Sequence, residues 1–268
     1  MPPSLKEIER LGQLKAQSIT RQQSDLLSTS KKVDSDLYRF VSSKILPKFT
    51  FDASGRVTNS NANINASRNI KQLSDYMKGT VDRRMKDFYV GAAKSSIEAS
   101  NRYYSLFKPK KALVKAINNK SNVMAKRLII GIFTQSNVQT QIENVLGTAV
   151  MGTVKERDLE NSIKDLITGK EDRMGLNEKF HYQNGHNVIR SQGRAIDSTF
   201  AKALELNYAI WTGGEIKTTR EFCAERNGKV FLKEEIEAME QLEWTGKKQF
   251  HVMLSDCGGY NCRLLCLD

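Results

Sequence analysis

Proline is scarce in this chain, with four in 268 residues and none after Pro109. Proline removes a backbone donor and clashes with the preceding turn, so it marks where helices stop. A chain with so few stops, whose apolar residues recur every three or four positions, is suited to long helices. At 39% hydrophobic residues it can fill one large core or two modest ones.

The spacing predicts a first helix over 3–27, where Leu5, Ile8, Leu11 and Leu14 form a narrow apolar stripe. A second is expected over 34–46, with Asp34 or Ser35 as N-cap and Pro47 ending it. A small hairpin fits 49–57, and the asparagine-rich stretch 59–65 reads as a loop or cap. A long helix is expected over 66–107. Val81, Met85, Phe88, Tyr89, Ala92 and Ala93 share its face, which Ile97, Tyr104 and Phe107 extend. Further helices are expected at 110–131, 135–150, 155–168 and 177–208, the last presenting Ile189, Ile196, Phe200 and Ala203 on one face. The charged stretch 169–175 reads as a linker and places a domain boundary there. Beyond Tyr208 the texture changes. Ala-Ile-Trp-Thr-Gly-Gly at 209–214 reads as a strand and turn, Gly228-Lys-Val-Phe as a turn entering a strand, and 233–242 as a short acidic helix. The expected fold is therefore mainly α with a small C-terminal α+β module. Residues 1–170 would form a basic helical domain and residues 171–268 the module.

Charge is distributed unevenly. The net +12 divides into +14 over 1–150 and −2 over 151–268. Between 94 and 127 lie Lys94, Arg102, Lys108, Lys110, Lys111, Lys115, Lys120, Lys126 and Arg127 against one acid, Glu98. Such a run neutralises phosphates by counterion release and needs no base reading, so non-specific contact with double-stranded DNA is the expected role. A solvated basic face fits the same residues. Tyr103, Tyr104 and Phe107 are interleaved, and at helical spacing they belong in the core.

The last third carries an ordered set of short motifs: Arg190-Ser191, Trp211-Thr212-Gly213, Thr219-Arg220-Glu-Phe-Cys223, Gly228-Lys229-Val-Phe231 and Asn261-Cys262-Arg263. Over residues 180–268 this series resembles the minor head proteins of tailed bacteriophages, the phage-Mu-type head morphogenesis family. There an Arg-Thr pair on a helix precedes a strand Trp, a Thr-Cys-x-x-Cys, a Gly-Lys-x-Phe and a closing Asn-Cys-Arg. The chain departs from that pattern twice. Arg226 stands where the second cysteine often occurs, and Gly259-Tyr260 replaces a histidine before Asn261. The residues that carry the resemblance are Arg190, Trp211, Thr219, Gly228, Lys229, Asn261 and Arg263.

All four cysteines, Cys223, Cys257, Cys262 and Cys266, fall in the last 46 residues, separated by 34, five and four positions. Cys262 and Cys266 have the close spacing of a zinc pair, while Cys223 has no near partner and His251 is a possible substitute ligand. A structural zinc site and buried thiols both fit, so the cofactor expectation is either none or zinc. No Walker-type phosphate loop, H-E-x-x-H pair or G-x-S-x-G elbow occurs, and His181 and His186 are five positions apart. The expectation is a protein that is not an enzyme. The first residues are polar with no apolar h-region, and no apolar run is long enough to span a bilayer.

The resemblance implies a minor capsid component inside the virion, made and assembled in the host cytoplasm. Its partners would be the portal protein, the major capsid protein and packaged DNA, with no membrane involved. A phage-encoded nuclease or toxin, or a nucleic-acid-binding protein with a zinc knob, are the alternatives.

Overall fold

The computed structural model describes residues 4–68, 70–130, 135–212, 217, 219–247, 249, 253, 258 and 265–267. They form a mainly α fold with a small α+β part at the C-terminal end, as expected. The chain divides into two compact units, each assembled from separated segments. One draws on Met1–Gln23, Tyr89–Gly131 and His186–Asp268, the other on Ser24–Phe88 and Ile132–Gly185.

Helix α1 spans Leu5–Lys44 without the break expected near residue 30. Its buried positions include Lys15, Ile19, Gln22, Leu26, Ser30, Val33, Leu37 and Val41, which recur every three to four residues. Leu14 belongs to the predicted stripe yet is 49% exposed. Steps of three advance about 300° on a helix, so Leu5 and Leu14 end up half a turn apart. The buried stripe was hidden because lysine, glutamine and serine occupy part of it.

In the second unit, the hairpin expected near residue 50 appears as an antiparallel bridge between Phe51 and Val57. The polar stretch after it contains a short helix, α2 (Asn61–Ala66), whose N-cap Ser60 accepts from the Asn63 amide. The Asn63 side chain is buried and accepts from the Thr50 amide at 2.9 Å. It also donates to the Thr50 and Thr58 carbonyls at 2.9 and 2.8 Å. These bonds make a polar residue part of the core.

Helix α3 (Lys71–Tyr76), a π-helical segment (Met77–Asp82) and α4 (Arg83–Tyr104) form the expected long helix. Leu73, Met77, Val81 and Met85 from this run are buried in the second unit, where α3 and the π-helical segment lie against α6 (Gln135–Met151), which in turn packs with α7 (Glu156–Thr168). The expected linker is instead a hairpin of β1 (Gly169–Lys170) and β2 (Arg173–Met174), and the expected domain boundary falls in its turn, inside this unit. Gly169 has φ +79 there, and a side chain would strike the Arg173 carbonyl.

Helix α8 (Leu176–Ala203) begins against Asp34. Asp34 does not cap its own helix but sits buried within α1. Its carboxylate accepts from the Asn177 and Glu178 amides and from Asn177 Nδ2, each at 2.9 Å. It thereby satisfies donors that the first turn of α8 cannot satisfy itself. Gly175 makes room, since a Cβ there would lie 2.6 Å from Asp34 Oδ2.

In the first unit, Lys15 is buried and ion-paired with Asp197 of α8, which also accepts from Ser100 Oγ at 2.9 Å. The Lys15 ammonium lies 5.1 Å from the ring centres of both Tyr103 and Tyr104. Tyr104 stacks on Phe200 at 4.6 Å. An unpaired buried charge would cost several kcal/mol, and this arrangement offsets that penalty.

Candidate nucleic-acid interface and C-terminal module

The basic stretch follows from how α4 ends and the next helix begins. The C-terminal part of α4 turns Tyr103 and Tyr104 inward, which leaves Arg102 facing solvent. Lys94, Glu98 and Arg102 recur every four residues along one exposed stripe. A short 3-10 turn, Lys108 in the left-handed region (φ 49) and Pro109 then redirect the chain into α5 (Lys111–Ile130).

Lys94, Arg102, Lys108, Lys110, Lys111, Lys115 and Lys120 are all exposed. None of these seven forms an ion pair with another described residue. Lys126 and Arg127 occupy the end of α5, and their side chains lie outside the described part of the structure. Tyr103 and Tyr104 are core residues and Phe107 is half-buried. Base stacking on the two tyrosines is thereby excluded, and cationic side chains form the surface.

The module is centred on Trp211. Strand β3 (Tyr208–Thr212) lies between β4 (Val230–Leu232) and β5 (Leu265–Leu267), antiparallel to both. Alternation buries Ala209 and Trp211 and leaves Tyr208 exposed. Trp211 packs with Cys223 of α9 (Glu221–Ala224), with Ile236 of α10 (Lys233–Ala238), and with Met239 and Met253; Phe222, Phe231 and Trp244 border this cluster. Strand β5 was not anticipated, although the apolar run Leu264-Leu-Cys-Leu267 is a signal for it.

Three parts of the ordered motif set meet here. Gly228 N donates to the Trp211 carbonyl at 2.7 Å, and Trp211 N donates to the Lys229 carbonyl at 2.9 Å. Gly228 turns with φ +76, a conformation that favours glycine. Phe231 meets Trp211 edge-on at 6.5 Å. Arg190 lies on α8, with its guanidinium 3.4 Å from Gln23 Oε1, and Thr219 is half-buried just before α9. Asn261 and Arg263 lie outside the described residues.

A stack that the sequence did not reveal braces the module's other side. The Arg226 guanidinium covers the Phe222 ring at 3.8 Å, Phe222 stacks on Trp244 at 4.1 Å, and Lys247 Nζ lies 5.2 Å from the Trp244 ring. Trp244 Nε1 donates to the Gly258 carbonyl at 2.9 Å, and Arg220 reaches the same oxygen at 3.4 Å. Arg226, a departure from the family pattern, thus closes one end of this stack.

Of the expected metal ligands, Cys223 is buried in the Trp211 cluster and Cys266 pairs in register with Trp211. Cys257, Cys262 and His251 lie outside the described residues. Among the described residues no three His, Cys, Asp or Glu side chains gather as a metal site. His181 is buried, and burial lowers its pKa to about 4, so it stays neutral at physiological pH. Among the described residues no helix is long and apolar enough to cross a membrane. Comparison with family profiles, curated proteins and solved structures gives no match to this chain.

Proposed function

We propose that the chain is a minor head component of a tailed bacteriophage, held in the capsid interior with portal and capsid proteins, and that residues 94–120 lie against packaged double-stranded DNA. The observation that carries this reading is the set of seven exposed basic side chains, none of them ion-paired with a described residue. Cations not already paired within the protein can displace condensed counterions from phosphate, which drives non-specific binding. The burial of Tyr103 and Tyr104 favours duplex over single strands, because they offer bases nothing to stack on. The backbone clasp of Trp211 with Gly228 and Lys229 supports reading the motif series as one structural module.

The full chain is expected to bind duplex DNA without sequence preference. With about five phosphates neutralised, log K should fall against log[salt] with a slope near −4 to −5. Reversing Lys108, Lys110, Lys111 and Lys115 to Glu should weaken binding far more than reversing Lys179, Lys202, Lys217 and Lys229, four exposed lysines after residue 170. Equal affinity at low and high salt, or equal loss from the two sets, would overturn the assignment.

A further inference from the structure

The second unit carries an open groove of about 520 Å³ between α1 and α7, lined by Ser35, Tyr38, Arg39, Ser42, Ser43, Lys164 and Thr168. Its composition is one-sided. Two cations, four aliphatic hydroxyls and a phenol line it, and no carboxylate does. Its volume is within the range of small-ligand sites.

The local charges leave both cations available. Arg39 is 3.3 Å from Asp36 and its side chain is 79% exposed. Asp36 is held more closely by Arg84, at 2.6 Å on its other oxygen. One carboxylate therefore faces two guanidinium groups, and the Arg39 charge is only partly compensated. Lys164 forms no ion pair with a described residue. The nearby Asp165 is already paired with Lys170 at 2.6 Å. Glu160 lies 3.3 Å from the Tyr38 hydroxyl, at hydrogen-bond distance.

The hydroxyls are held but convertible. Ser35 Oγ donates to the Lys31 carbonyl at 3.0 Å and Thr168 Oγ1 to the Lys164 carbonyl at 2.9 Å. These carbonyls belong to the hydroxyls' own helices, so rotating a hydroxyl toward a ligand exchanges one hydrogen bond for another. Ser43 Oγ donates to the Phe40 carbonyl more loosely, at 3.5 Å.

From this arrangement we propose that the groove binds a phosphate group, with Arg39 supplying a planar pair of donors, Lys164 a point charge, and the serine hydroxyls the remaining donors. Guanidinium and ammonium groups flanked by hydroxyls match an anion that offers several acceptor oxygens and no donor. The phosphate could come from a free phosphorylated small molecule or from a nucleic-acid backbone, since the recognition chemistry is the same. The groove shares no residue with the basic stretch at 94–120, and the proposal stands whether or not that stretch contacts DNA.

Amide chemical shifts of the full-length protein at low ionic strength test this, with inorganic pyrophosphate as one probe and a short DNA duplex as the other. Pyrophosphate should shift the resonances of residues 35–43 and 164–168, with half-saturation at about 1 mM or below. The double variant Arg39→Glu/Lys164→Glu should weaken that response at least tenfold while its melting curve stays close to wild type. The milder Arg39→Gln/Lys164→Gln serves if the first variant does not fold. A duplex that shifts the same residues would identify the backbone as the source, and a response to pyrophosphate alone would identify a small ligand. No shift in these residues from either probe, or a shift that survives both double variants, would overturn the proposal.

Discussion

Asp34 and His181 belong to the same unit, and burial dominates the titration of both in opposite senses. Burial raises the Asp34 pKa to about 6, against the lowering effect of its hydrogen bonds from Glu178 and Asn177. A carboxyl raised in the fold contributes stability that is complete below 3.8 and lost as pH rises through about 6. His181 behaves in reverse. Its folded value of about 4 resists a proton that the unfolded chain takes up near 6.5, so its contribution is present above 6.5 and lost as pH falls toward 4. Each effect is worth about 3 kcal/mol when complete. Between pH 7 and pH 4, Asp34→Asn should therefore lose about 2.4 kcal/mol more stability than wild type, and His181→Phe about 3 kcal/mol less. Urea unfolding at the two pH values measures both differences. Two variants with the wild-type pH profile would refute the assignment. None of this was legible in the sequence, where Asp34 reads as the cap of its own helix and His181 as one of three scattered histidines.

Among the elements, the junctions decide whether a local pattern becomes the right structure. Gly175 joins β2 to α8 where a Cβ would lie 2.4 Å from the Ile167 carbonyl and 2.6 Å from Asp34 Oδ2. Gly91 lies inside α4, exposed, and a Cβ there would meet nothing within 4 Å. Gly175→Ala should destabilise by about 1–3 kcal/mol through overpacking and displacement of the cap. Gly91→Ala should stabilise by about 0.5–1 kcal/mol through helix propensity alone. Thermal unfolding of the pair checks this, and similar effects from the two substitutions would contradict the packing described around Asp34. The helices from Lys71 to Ala203 were legible because Val81, Met85, Tyr89, Ile97, Ile189, Ile196 and Phe200 keep helical spacing and are buried or nearly so. Strand β3 was legible from Trp211 beside a turn. The continuity of α1 was not, because Lys15, Gln22 and Ser30 are polar residues on its buried face. The pairings Lys15–Asp197 and Asp34–Asn177 join residues 182 and 143 positions apart, and local periodicity carries no record of such distant partners.

For the molecule as a whole, charge and motif order carry the functional reading. Of the +14 of residues 1–150, +6 falls between Lys94 and Lys120, whose basic side chains are exposed, and the near-neutral residues 151–268 hold the Trp211 module. A component of a DNA-filled head would need both a surface tolerant of any sequence and a folded module, and under the proposed role the basic stretch and the Trp211 module would supply them from different segments. The basic surface was legible in the sequence as composition. What the sequence could not supply was which basic side chains form no ion pair with a described residue after folding. The most direct test of the proposed role is mass spectrometry of phage particles and procapsids purified from cells that express the chain from its native locus. Its peptides are expected in one or both preparations, at few copies beside portal and major capsid protein. Their absence from both, with the chain present in the soluble lysate, would contradict it.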